Sequence, residues 1–298
     1  MRAENGWRLW PAAEDGAPRR AALAAVAAVG SALSGCSGLI GSMAADTLSA
    51  AILEQEDPVL IQEGAPAYLL LLDGFISRNP DDEALLAAGA QLYALYGSRF
   101  VDDGERAIEL TAKARRYGAH AMCISYEWAC DPEHTDYDTF VRQLSDVTRR
   151  DIDLLYAYAV SWLSHLDATS EDWTAVAELP WVEAALGRVL ELDEAYAQGA
   201  VHGYLGTLNA LRPPALGGRP EVAKEHFERA IELSEGRDLS VKVEYARRYA
   251  RMVFDQELHD QLLADVLAAP TDAPGLTLFN ALAKEEAERL LATSEEYF

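Results

Sequence analysis

The chain has 298 residues, 25 Lys and Arg against 49 Asp and Glu, and a formal net charge of −24. That acidity excludes a duplex-binding surface, which needs cations to displace counterions, and a polybasic helix lying on a membrane. With 20 Gly, 12 Pro and 3 Cys it is neither collagenous, low-complexity nor a disulfide framework. Half of the residues are hydrophobic but only 9% are aromatic, an Ala- and Leu-rich balance that favours helices.

Residues 1–20 carry Arg2, Arg8, Arg19 and Arg20. Residues 21–33 are uncharged and too short to span a bilayer. They end in Leu33-Ser34-Gly35-Cys36. A basic flank, a short apolar run and small residues before a cut site describe a secretory signal peptide. The tetrad looks like a bacterial lipoprotein processing site. By that resemblance Cys36 is the lipid-attachment (palmitate-bearing) residue and the mature N-terminus, and Ser37, not Asp, favours the outer membrane. The domains expected are therefore a signal peptide over 1–35 and a single helical domain over 36–298. Removing the leader's four arginines and three acids leaves 21 basic against 46 acidic residues, a net of −25. No later segment approaches 18 uncharged apolar residues, so membrane attachment is expected only through lipid.

The remaining chain reads as helix after helix, without the period-2 alternation of strands. Leu48 and Ile52 open a helix that Asp57-Pro58 stops. Residues 64–76 form an apolar stretch closed by Asn79-Pro80. Residues 82–100 carry a stripe of Leu85, Leu86, Gly89, Leu92, Tyr93 and Tyr96. Residues 105–117 follow, with Gly118 as the expected C-terminal cap. Residues 137–144 start from Asp136 as N-cap. Further helices are expected over 151–165, 181–192 after Pro180, 196–211, 221–233, 240–252, 256–267 and 276–291. About a dozen helices joined by short turns predict an all-α fold, a tetratricopeptide-like solenoid of helical hairpins.

The repeat signal is strongest at one pair. Leu205-Gly206 lies on its first helix; Ala223, Phe227 and Ala230 lie on its second, at the 4 and 3 spacing of the tetratricopeptide unit. Small residues let two helices approach, and the Phe fills the gap. About five residues are inserted between the pair relative to that unit, at Pro213-Pro214-Ala215-Leu216-Gly217-Gly218.

Catalytic patterns are missing: no Gly-x-Ser-x-Gly elbow, no phosphate loop, no His-Glu-x-x-His. The six His have no i, i+4 pair, so no metal and no cofactor are expected, and His165 and His202 read first as helix-face histidines. The insert Pro213, Pro214, Leu216, Gly217, Gly218 is either a structural elbow or a ligand- or partner-binding loop. Nearest to it are His202, Tyr204, Asn209 and Arg212. Tyr245, Arg247, Arg248, Tyr249 and Arg251 form a basic-aromatic stretch, read as salt-bridged to acidic neighbours or, more sharply, as a carboxylate site. On one straight helix Cys123 and Cys130 would stand about 10 Å apart, beyond disulfide reach. A bond between them needs the helix to end first, and both states stay open.

Several motifs together resemble the T component associated with TRAP transporters (the TatT family). They are the Cys36 tetrad with Gly38-Leu39-Ile40, the Asp57-Pro58 break, the Asn79-Pro80 turn, Leu155-Tyr156-Ala157 with Ser161-Trp162, Asp172-Trp173 leading to Ala177-Glu178-Leu179-Pro180, the Pro-Pro-Ala-Leu-Gly-Gly insert, Val241-Lys242-Val243 with Tyr245-Ala246-Arg247, and the closing Glu295-Glu296-Tyr297-Phe298. The resemblance implies a periplasmic lipoprotein, homotrimeric, that partners the TRAP solute-binding protein and assists transfer of an organic acid or hydrophobic ligand. From the missing catalytic patterns and the acidic charge, neither an enzyme nor a nucleic-acid partner is expected. The alternative reading is a general tetratricopeptide lipoprotein scaffold for envelope assembly.

Overall fold

A computed structural model describes residues 49–130, 135–212, 214 and 217–298. The expected leader, Cys36, and Pro213, Ala215 and Leu216 of the insert lie outside these residues. Among the described residues the chain forms thirteen α-helices and no strand, so the fold is all-α. In order they are α1 (Pro58–Arg78), α2 (Glu83–Arg99), α3 (Gly104–Ser125), α4 (Tyr137–Leu144), α5 (Ile152–Ala168), α6 (Trp173–Ala177), α7 (Leu179–Leu192), α8 (Ala200–Ala210), α9 (Pro220–Leu233), α10 (Leu239–Glu244), α11 (Gln256–Ala268), α12 (Thr277–Ala292) and α13 (Ser294–Tyr297). Tyr245–Ala250 prolongs α10 as a π-helical segment.

The acidic composition has a local use. Asp57, Asp82, Asp103, Asp136, Asp238 and Asp255 each cap a helix by accepting a backbone N–H with the side chain. Each such cap is worth about 1 kcal/mol and sets a negative charge on the positive end of the helix dipole.

Several boundaries differ from expectation. The helix expected from residue 196 begins at Ala200, after positive φ at Ala197, Gln198 and Gly199. Asp57-Pro58 does not only end a helix: Asp57 caps α1 and Pro58 occupies its first turn, where a missing N–H costs nothing. Gly118 is not a C-cap. It lies inside α3, where a Cβ would sit 2.3 Å from the Ser161 hydroxyl and 3.2 Å from the Ala157 carbonyl oxygen of α5. The glycine is there for close approach of two helices, and α3 runs on to Ser125. There the helix stops, a 3₁₀ turn at Glu127–Cys130 folds back, and Cys123 and Cys130 are disulfide-bonded with Cα atoms 4.6 Å apart.

Helices neighbouring in sequence pack in succession, α2 on α3, α3 on α5, α5 on α7, α7 on α8, α8 on α9 and onward to α11 on α12. The succession closes on itself. Ile52 shares a core with Leu278, and the Glu54 carboxylate accepts from the Gly275 N–H (2.6 Å) and the Thr277 hydroxyl (3.3 Å). One core is aromatic: Trp128, Phe140, Tyr158 and Trp162 meet edge to face, with centroids 5.4–6.4 Å apart.

α1 is anchored by one stripe, Ile61, Ala65, Leu69, Leu72 and Ile76, and leaves Val59, Leu60, Tyr68, Leu70 and Leu71 exposed. By length and composition it could cross a membrane. Asp73 ties it to the body instead, accepting from Lys113 (2.5 Å), Tyr93 (2.8 Å) and Tyr117 (2.7 Å). Burial pushes the Asp73 carboxyl up, but the hydrogen bonds from Lys113, Tyr117 and Tyr93 outweigh it and hold it below the usual range. Burial and then Asp73 push Tyr117 up to about 12.

Candidate functional site

The residues expected around the insert are placed on two faces of α8. His202 and Asn209, seven positions apart, lie on nearly the same side. His202 Nδ1 is 2.8 Å from His226 Nδ1 of α9. The Asn209 side-chain amide donates back to the Leu205 carbonyl (2.8 Å), while the Asn209 backbone carbonyl accepts from the Arg219 N–H (2.9 Å), tying the start of α9 to the end of α8. Arg219 pairs with Glu183. Pro214 is exposed, the Gly217 N–H donates to its carbonyl (3.1 Å), and Gly217 takes the left-handed φ of +87°. Gly218 and Arg212 are half-buried. Tyr204 points the other way, toward Tyr156 of α5, with centroids 6.3 Å apart. Among the described residues His202 and Asn209 therefore do not converge with Tyr204 on one site.

The histidine pair is a proton-sensitive joint between α8 and α9. At 2.8 Å one Nδ1 must donate and the other accept, so only one carries hydrogen. Burial, then His226, lowers the His202 pKa, against Glu194 whose carboxylate is 3.5 Å from Nε2 and is itself held by Arg229. Burial lowers His226 too, with Glu183 and Glu225 opposing and Arg219 assisting. The unfolded chain thus takes up protons that the folded chain refuses once pH falls below about 6.5. Urea midpoints are expected to fall between pH 7.5 and 5.5, and His226→Gln to shrink that difference. An undiminished difference in the variant would place the sensitivity elsewhere.

A second constellation, on the face Tyr204 addresses, gathers groups from five helices. Glu244 at the end of α10 pairs with Arg99 of α2 (3.7 Å), Arg248 (3.4 Å) and Arg247. Arg248 also reaches Asp167 of α5 (3.4 Å), and Arg247 reaches Glu286 of α12 (3.7 Å). Burial pushes the Glu244 carboxyl up, but Arg247, Arg99 and Arg248 outweigh it and keep it ionised. Burial raises Asp238 despite the hydrogen bonds from Ser240. Tyr156 and Tyr204 are both raised, by burial first.

Tyr156, Tyr204 and Glu244 keep part of their surface open to solvent, although burial is the largest influence on each. These partly exposed groups bring tyrosine faces and guanidinium groups together around one carboxylate, a set suited to a small molecule with an apolar body and an anionic end.

The basic-aromatic stretch is split by this arrangement. Arg247 and Arg248 join the Glu244 cluster in ion pairs, whereas Tyr245 and Tyr249 are buried, Tyr245 stacked on Phe227 with centroids 5.1 Å apart. The π-helical turn Tyr245–Ala250 widens the helix at the point where these residues diverge, a distortion common at functional sites. Arg99, Asp167 and Glu286 are the members that sequence reasoning misses, because they look like ordinary surface charges on amphipathic helices.

His165 contacts the Thr111 hydroxyl (3.3 Å) and is half-buried, a packed helix-face histidine. Among the described residues no three His, Cys, Asp or Glu side chains gather as a metal ion requires. The model of the TRAP transporter T-component family, TAtT, matches residues 54–298. No curated protein matches the chain.

Proposed function

Because the chain belongs to the TRAP transporter T-component family, we propose that it is a lipid-anchored periplasmic partner of the TRAP solute-binding protein. In this reading it assists transfer of an organic acid or hydrophobic ligand. Association with a TRAP transport system follows from membership itself, and the family is an accessory component rather than an enzyme family. The observation that carries the finer reading is the cluster of tyrosines and ion pairs around Glu244, which this reading takes to line a recess between α2, α5, α8, α10 and α12. Its Tyr156 and Tyr204 faces suit an apolar body, and Arg99, Arg247 and Arg248 suit a carboxylate that competes with Glu244. Cys36 supplies the anchor, at the inner leaflet of the outer membrane. The Ala223, Phe227, Ala230 and Gly206 packing of α8 on α9 supports a tetratricopeptide-like pair. The exposed Val59, Leu60, Leu70 and Leu71 of α1 support self-association, as a homotrimer.

The test is direct binding between the purified mature chain and the solute-binding protein encoded with it, by calorimetry with and without candidate organic acids. Saturable binding that a bound acid modulates is the expected result. Failure to bind, with and without acids, would return the chain to the class of general envelope scaffolds. In cells, Cys36→Ala is expected to release the protein from membranes, and Leu70→Glu with Leu71→Glu to yield monomers in sedimentation.

A further inference from the structure

The closing Glu295-Glu296-Tyr297-Phe298 motif has no part in the recess, yet it builds a distinctive surface with the turn after α10. Phe254 is 72% exposed and holds φ +57°. It stands where a helix ends in a left-handed residue: the Asp255 N–H donates to the Ala250 carbonyl (2.9 Å) and the Phe254 N–H to the Arg251 carbonyl (3.3 Å). Glycine is the usual occupant of that position, because a Cβ is disfavoured there. An aromatic side chain that accepts this conformation and stays mostly in water gains little burial for the fold. Such strain is found where function requires the side chain.

The neighbours hold the knob in shape. Tyr297, 46% exposed, stacks on Phe254 with centroids 6.3 Å apart, and the Arg251 guanidinium lies 4.4 Å over its ring. Phe298 packs edge-on against Tyr297 (5.1 Å) and against buried His259 (5.2 Å). Around it Asp255, Glu257, Glu295 and Glu296 are all exposed, while Arg251 is turned onto Tyr297.

We infer that Phe254 and Tyr297 are the anchor of a docking surface for a protein whose own surface offers an apolar pocket bordered by lysine or arginine. The carboxylate rim argues for that occupant over the others. A second copy is itself strongly acidic, with a formal net charge of −24, and an anionic lipid surface would repel these carboxylates. Rigid aromatic anchors inside a charged rim are the usual centre of a binding hot spot. On the reading proposed above, this occupant is the solute-binding protein.

Biolayer interferometry with the solute-binding protein tests this, using the full mature chain and its Phe254→Gly, Tyr297→Ala and Glu295→Lys/Glu296→Lys forms. Phe254→Gly is expected to melt about 2 °C higher, because it relieves the backbone, and to bind at least about tenfold more weakly. The charge-reversed form is expected to bind more weakly and to lose much of the salt dependence. A Phe254→Gly chain that binds like wild type overturns the inference and leaves the partnership standing. A wild-type chain that binds no solute-binding protein overturns both.

Discussion

Phe227→Ala is expected to lower the free energy of unfolding by about 4 kcal/mol. Phe227 is fully buried, stacked on Tyr245 with centroids 5.1 Å apart and rings 19° from parallel. Its other face lies on the backbone of α8: a Cβ added at Gly206 would stand 2.9 Å from the ring. Three helices therefore lose their common filler at once, and a glycine has no side chain with which to collapse into the space. Phe227→Leu keeps most of the volume and is expected to cost about 1.5 kcal/mol. Urea unfolding followed by far-ultraviolet circular dichroism reads both. A loss below about 1 kcal/mol for the alanine form would mean that α8, α9 and α10 do not share this contact.

Glu244→Gln is expected to have the next largest effect, about 3 kcal/mol. The glutamine keeps the shape but strands Arg247, Arg248 and Arg99, which now face only Asp167 and Glu286. The sign with pH is fixed. The folded-state pKa of Glu244 is lowered, so its contribution is present above the ordinary value of 4.5 and is lost as pH falls through the folded value. The stability gap between wild type and variant should close in acid. Small organic acids should raise the melting temperature of the variant more than that of wild type, because Arg99, Arg247 and Arg248 have lost the carboxylate they share and can take another. An equal response of the two proteins would remove the recess as an anion site.

Much of the helical layout was readable because its signals are local. Asp136 announces a helix start one residue away, and it caps α4. The Ala223, Phe227, Ala230 spacing describes one face of one helix, and all three are buried. Gly118 was misread because a glycine that ends a helix and a glycine that admits a neighbouring helix look alike until the neighbour, α5, is in place. Pro58 was half-read: a proline stops one helix by the same chemistry that lets it begin another. The recess was not legible at all. Arg99 and Glu244 are far apart in sequence, and nothing in either neighbourhood marks it as half of a pair. His202 and Tyr204 are two positions apart, yet helical geometry sends them to opposite sides, so proximity in the chain misled.

The Glu54 contacts to Gly275 and Thr277 change how the helix array should behave under load. An open stack of helical pairs acts as a spring, stretching and fraying from its free ends, each repeat coupled only to the next. Here the two ends are also joined, by Glu54 and by Ile52 beside Leu278. Pulling the first helices away from the last therefore loads these contacts together with the Arg99–Glu244 pair, and fraying from either end is opposed by the other end.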